Sequence, residues 1–300
     1  MSISIDWSEF QQNKNLKEDN FHYFPLPDSV ISRSEGFCTL LKEEQYHGGV
    51  GTDMMNITAR QDTFRMVVDI LSTLVEEARF NFEDDKLVIR IVDPSHVAMI
   101  QMEVASSAFE SWEVAETVLG LELSKISKLV QLAGAGDLIV MNYNDAVGKV
   151  EFQVGEIERT IRPLDRQNMQ EPKVPELDTN ISVSLSGAKF ARALKAADQV
   201  GDLVTFSIDQ NRFSVNVTGE SDAVNVSYES GELQELVCDN PVKSQYSLQY
   251  LLPLAKRIEA TVETVTAKFG ENYPLRLEFT FADGGANVIY FLAPRVEGDA

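Results

Sequence analysis

Cysteine, histidine and positive charge are all scarce in this chain. Its 300 residues hold two cysteines, Cys38 and Cys238, and three histidines, His22, His47 and His96. Two cysteines so far apart build neither a disulfide framework nor a cysteine-rich zinc site, which fits a reducing cytoplasm. No HExxH, CxxC, GxSxG or Walker A pattern occurs, so the common hydrolase, redox and nucleotide-binding chemistries lack their signatures. Gly48-Gly49-Val50-Gly51 is isolated and has no lysine behind it. Asp93, Ser95 and His96 have no oxyanion feature beside them. The expectation is therefore no catalytic residue, no metal and no cofactor. No apolar run approaches the roughly 18–20 residues of a membrane span. The N-terminus lacks the basic and apolar regions of a secretory signal, so no membrane partner is expected. Lys and Arg number 26 against 47 Asp and Glu, a net charge of −21. Such a chain repels nucleic acid as a whole. The acidity fits a high-salt cytoplasm, or ordinary acidic solubility.

What the chain does have is a repeat. The stretch 64–82 reads as an amphipathic helix running into a strand, and 190–208 says the same 126 residues later. Leu87, Ile89 and Ile91 answer Phe213, Val215 and Val217 at that offset. Lys149-Val150-Glu151-Phe152 answers Arg276-Leu277-Glu278-Phe279 one residue out of step. A period this long marks a duplicated domain rather than a solenoid.

Residues 1–53 match nothing in the repeat and read as a weakly structured N-terminal extension, or as the product of a start codon upstream of Met54. Residues 54–164 form the first domain, 165–178 a proline-bearing connector, and 179–300 the second domain. In the first, the apolar face of Phe64, Val67, Val68, Leu71 and Leu74 predicts a helix over 62–76. Alternation predicts a hairpin over 78–93. A strand over 98–105, a short helix over 123–133 and three strands ending near Ile161 follow. In the second, helices are predicted over 187–200 and 248–260, with Pro253 kinking or shortening the latter. The fold class is α+β, with two helices against antiparallel strands in each copy.

The scarce cations gather on these helices. Lys189, Arg192 and Lys195 sit at i, i+3, i+6 opposite Phe190, Leu194 and Ala197. Lys125 and Lys128 oppose Ile126, Leu129 and Val130. Arg65 lies on the first helix and Lys256-Arg257 on the last. One reading is a solvated face. The other is contact with double-stranded DNA through phosphates, without base readout, because no aromatics or amides are interleaved for stacking or base recognition.

Certain segments resemble one family. Val92-Asp93-Pro94-Ser95-His96-Val97-Ala98-Met99 is similar to the D-x-[SA]-x-V segment of sliding clamps of the proliferating cell nuclear antigen type. Leu292-Ala293-Pro294-Arg295 resembles that family's L-A-P-[KR] ending, and Ala133-Gly134-Ala135-Gly136-Asp137 the turn after its second helix. The connector, with Glu171-Pro172 and Val174-Pro175-Glu176-Leu177-Asp178, is similar to that of archaeal members. The resemblance spans 54–300 and is strongest to clamps of halophilic archaea or their viruses.

The resemblance implies a closed homotrimeric ring with helices inside and sheets outside. The edge near 156–164 would pair with the edge near 221–228 of the next copy. It implies a processivity factor in DNA replication and repair that encircles duplex. Its partners would be DNA polymerase, a clamp loader, and a ligase or flap nuclease. These would dock through peptides carrying a glutamine and paired aromatics. The matching pocket positions are His96, Val97, Met99, Met169, Pro274, Phe291, Leu292, Ala293 and Pro294. The extension departs from the family pattern, and Glu18, Phe21, Phe24 and Pro25 within it faintly echo such a peptide. Two alternatives stay open: a subunit of a heterotrimeric checkpoint-type clamp, and a protein-binding scaffold that never encircles DNA.

Overall fold

The computed structural model describes residues 54–165, 169–177 and 179–295. The extension 1–53, and with it the echo of a clamp-binding peptide, lies outside the described residues. The first half runs β1 (Met54–Arg60), α1 (Gln61–Leu71), β2 (Glu77–Phe82), β3 (Lys86–Val92), β4 (Ala98–Ala105), β5 (Ser111–Glu113), β6 (Thr117–Glu122), α2 (Leu123–Val130), β7 (Leu138–Asn144), β8 (Lys149–Val154) and β9 (Ile157–Ile161). The second half repeats this order as β10 (Ser182–Leu185), α3 (Gly187–Ala197), β11 (Leu203–Ile208), β12 (Arg212–Thr218), β13 (Ala223–Glu229), β14 (Glu235–Val237), β15 (Val242–Ser247), α4 (Leu248–Ile258), β16 (Val265–Lys268), β17 (Leu275–Phe281) and β18 (Ala286–Leu292).

The helices stop earlier than periodicity predicts. Helix α1 ends at Leu71 rather than Glu76, because Thr73 turns its hydroxyl onto the Ile70 carbonyl at 2.6 Å and competes with the helical ladder. Helices α2, α3 and α4 end at Val130, Ala197 and Ile258, short of the predicted ends at 133, 200 and 260. Their last apolar residues, such as Ala133 and Val200, lie in single turns beyond. Pro253 does not cut α4 short relative to its sisters, since α4 has the same 11 residues as α1 and α3. Strands β5 and β6 escape the sequence reading. The first is three residues long, and the burial of the second does not alternate.

The strands form three antiparallel sheets. One has order β5-β1-β7-β8-β9, one β13-β12-β11-β15, and the largest β14-β10-β16-β17-β18-β4-β3-β2-β6. The nine-stranded sheet crosses from one repeat to the other where β18 pairs with β4, from Ala286 opposite Val104 to Leu292 opposite Ala98. On one face of each strand, alternate residues such as Ile100, Met102, Val288 and Tyr290 are fully buried in the core. In the second half the core centres on Phe206, which meets Phe190, Phe213, Tyr246 and Phe269 at ring-centroid distances of 5.5–6.3 Å.

The four helices make one row. Helix α1 packs on both α2 and α4, and α4 on α3. Across the junction of the repeats, Arg257 of α4 pairs with Asp69 of α1 at 3.3 Å. Strands β9 and β13 end their sheets with one side unpaired among the described residues.

Candidate functional site

Each helix buries its apolar stripe against the sheets, which leaves the opposite side for the cations. Arg65, Lys128, Arg192, Lys256 and Arg257 are exposed, and Lys125, Lys189 and Lys195 are half-buried. The row of helices thus brings all eight onto one layer. Several arrive already engaged. Lys125 pairs with Glu122 at 2.7 Å, Lys195 with Glu259 just beyond α4, and Arg257 with Asp69. Lys189 donates to the Glu232 carbonyl at 2.7 Å and lies 5.5 Å from the Tyr228 ring centroid. The Lys125 hydrogen bond, then that of Ser124, holds the Glu122 carboxyl below its usual range. Arg65, Lys128, Arg192 and Lys256 have no salt bridge among the described residues. Sequence periodicity found the cations but not their carboxylate partners, which come from other helices or from residues outside the helix.

The second constellation lies where β3 turns into β4. Asp93 is 3% exposed, and its carboxylate organises the turn. One oxygen accepts the Val97 and Ala98 amides, both at 2.7 Å. The other accepts the Ser95 amide at 2.9 Å and the Tyr250 hydroxyl at 3.1 Å. A carboxylate so fully used for backbone donors is a turn-former. The turn presents His96, exposed and at φ 55°, and half-buried Val97. The C-terminal segment is stitched beside it: the Ala293 amide donates to the Val97 carbonyl at 2.9 Å. Tyr290, wholly buried, donates to the Tyr250 carbonyl at 3.0 Å. Burial, then the charge of Asp93, pushes the Tyr290 phenol well above its ordinary range.

The positions matched to the family's peptide pocket sort into accessible and buried ones. His96, Val97, Met169 and Pro294 are exposed or half-buried. Met99 and Phe291 face each other across β4 and β18, on the side of the sheet away from the main core, and both are 0% exposed. They are buried, not surface. Pro274 is also buried, and Ala293 is 5% exposed. Leu292 is a correction. Adjacent residues on a strand point to opposite faces, and Leu292 belongs to the core while Phe291 faces the other way.

The connector follows β9, touches the nine-stranded sheet at its β6 edge, and crosses that outer face to enter at β10 near the other edge. Leu164 bridges to Gly120 on β6, Arg79 of β2 donates to the Met169 carbonyl at 3.3 Å, and Arg90 of β3 pairs with Glu171. Gly120 is what lets it lie flat. A Cβ there would stand 2.7 Å from the Met169 sulfur and 3.1 Å from the Leu164 carbonyl oxygen. Among the described residues no group of acidic, histidine or cysteine side chains has a metal-binding arrangement.

Comparison with known proteins agrees along the whole repeat. Residues 54–167 match the N-terminal domain of proliferating cell nuclear antigen, and residues 173–295 its C-terminal domain. A protein named DNA polymerase sliding clamp from Natronomonas pharaonis is 32% identical over 249 residues, covering 82% of this chain and all of that one. The protein of the same name from Halobacterium salinarum is 33% identical over the same length and coverage. Among solved structures, A. fulgidus PCNA with the C-terminal region of FEN-1 bound superposes with a TM-score of 0.77 at 27% identity, over 82% of this chain and all of that one. PCNA from Thermococcus kodakaraensis shares the fold, with a TM-score of 0.74 at 22% identity, over 80% of this chain and all of that one. With both domains matched in order and relatives aligned over their full length, the chain belongs to the proliferating cell nuclear antigen family.

Proposed function

We propose that this chain is a DNA sliding clamp, three copies of which close head to tail around duplex DNA and tether a replicative polymerase. The observation that carries the reading is the match of two successive clamp domains across 54–295, broken only at residues 168–172. The geometry supports it. Free edges β9 and β13 lie on different sheets of one chain, so a head-to-tail contact leaves a fresh edge at each end until the ring closes. Closure removes both exposed edges.

Function then follows from topology rather than from tight binding. A closed ring cannot leave duplex sideways, so a polymerase held on its rim stays at high effective concentration. Weak phosphate contacts by Arg65, Lys125, Lys128, Lys189, Arg192, Lys195, Lys256 and Arg257 suit a ring that must slide, and they carry no sequence information. The remaining acidity is tolerable in molar salt, where the Debye length is about 3 Å. The turn at His96 and Val97, with the connector and Pro294, forms the rim of an apolar site for an aromatic-anchored peptide of polymerase, loader, ligase or flap nuclease. The work is tethering, not catalysis. Because the relatives are named DNA polymerase sliding clamps, the polymerase clamp is favoured over a checkpoint-type subunit or a scaffold.

Light scattering from low to molar salt tests the ring. Three chain masses are expected, with assembly favoured at high salt. A monomer at every salt concentration would sink the self-closing clamp.

A further inference from the structure

We propose that Tyr250, from the second domain, is a positioning residue for the partner-peptide site of the first, acting through the Asp93 carboxylate. This rests on reading the turn at 94–97 as part of that site. Tyr250 lies on α4 in the row of cation-bearing helices and 157 residues from Asp93, yet its hydroxyl supplies one of the four hydrogen bonds to that carboxylate. It is itself fixed from below by Tyr290, whose hydroxyl binds its carbonyl. Burial, then the nearby charge of Asp93, raises the Tyr250 phenol above its ordinary range, so the hydroxyl stays a donor at neutral pH.

The turn needs this support. His96 holds a left-handed backbone, with φ 55°, that a residue with a Cβ disfavours. Its exposed ring and half-buried Val97 are the groups an incoming peptide meets. Their placement is set by Asp93 accepting the Ser95, Val97 and Ala98 amides, and so by whatever fixes the carboxylate plane. Without the phenol one carboxylate oxygen keeps a single partner, the Ser95 amide. The carboxylate can then rotate or hydrate, and the turn gains conformations that a peptide must remove on binding. The effect falls on affinity, because Phe in place of Tyr keeps the ring and its packing.

The test uses full-length protein and a synthetic peptide with a glutamine and two adjacent aromatics, titrated by calorimetry. Tyr250→Phe should weaken the peptide roughly three- to tenfold, less than the full loss of a hydrogen bond to a charged group, because the bond reaches the peptide only through the turn. Assembly mass should stay that of the unaltered protein, and because Asp93 keeps three backbone donors the melting temperature should fall by only a few degrees, leaving the protein folded at the assay temperature, which separates positioning from general stability. Asp93→Asn should weaken the peptide at least as much. Adding Tyr250→Phe to it should cost little more, since the two act through one bond. Equal affinities for the unaltered protein and Tyr250→Phe, or fully additive losses in the double variant, would overturn the positioning role alone. If the unaltered protein failed to bind the peptide, the reading of the site would fall as well.

Discussion

Gly120 shows how much a single hydrogen in place of a methyl group decides at the residue scale. It faces outward from β6 directly under the connector, with Leu164 and Met169 against it. The Met169 thioether can swing aside, but the Leu164 carbonyl belongs to the backbone and to the bridge that starts the crossing. Gly120→Ala should therefore lift the connector at its root. Overpacking of this kind costs about 1–3 kcal/mol, read as a fall in melting temperature of roughly 2–4 °C per kcal/mol. Unchanged melting would show that the connector moves freely there. None of this was legible in the sequence, because β6 itself escaped the reading there. The turn and the C-terminal segment were better marked. The His96-Val97 turn and the Ala293-Pro294 ending were found by resemblance, and the structure brings them together through the bond from the Ala293 amide to the Val97 carbonyl. Resemblance could not tell accessible positions from buried ones, because Met99 and Phe291 read like any strand residues until β4 and β18 are paired. Leu292 was separable from Phe291 by alternation alone.

Among the elements, the helices carry the largest difference between what is written and what is available. Periodicity located all four, and its errors were confined to their last turns, where Thr73 and the apolar residues that follow keep the pattern alive after the ladder has ended. The cations were legible because they repeat with the helix. Their neutralisation was not, because Glu259 lies one residue beyond α4 and reaches Lys195 on α3, and Asp69 reaches Arg257 on α4. Exposed pairs of this kind contribute only about 0.2–1 kcal/mol each to stability, so removing the carboxylates should leave the fold intact. Replacing Glu259→Gln and Asp69→Asn frees two cations per copy. Affinity for random-sequence duplex at low salt should rise. The plot of log affinity against log salt should steepen by about 0.9 for each freed cation that reaches a phosphate. Fluorescence anisotropy across a salt series measures both. Identical slopes for the two proteins would mean that these helices do not face the duplex.

For the molecule as a whole, the duplication was legible but the seam was not. A repeat declares that two halves are alike and is silent on how they touch. The seam is the seven-pair ladder between β4 and β18, and it makes one nine-stranded sheet out of both copies. Burial of Ile100, Met102, Val288 and Tyr290 along it belongs to both halves equally. Each half loses part of its core if the other opens, so calorimetry should find one unfolding transition, with the two enthalpies that test two-state behaviour in agreement. Two resolved transitions would contradict the shared core. The same seam sets a waiting time when the chain is made. Strand β4 is complete once Ala105 has left the ribosome, but its neighbour begins at Ala286. At about 5–20 residues per second, roughly 10–40 s pass before that neighbour exists. Through that interval the first half carries an open sheet edge bearing Met99, Ile100 and Met102. Every newborn copy is thus obliged to spend its most adhesive moments unfinished, close to sister chains growing on the same message.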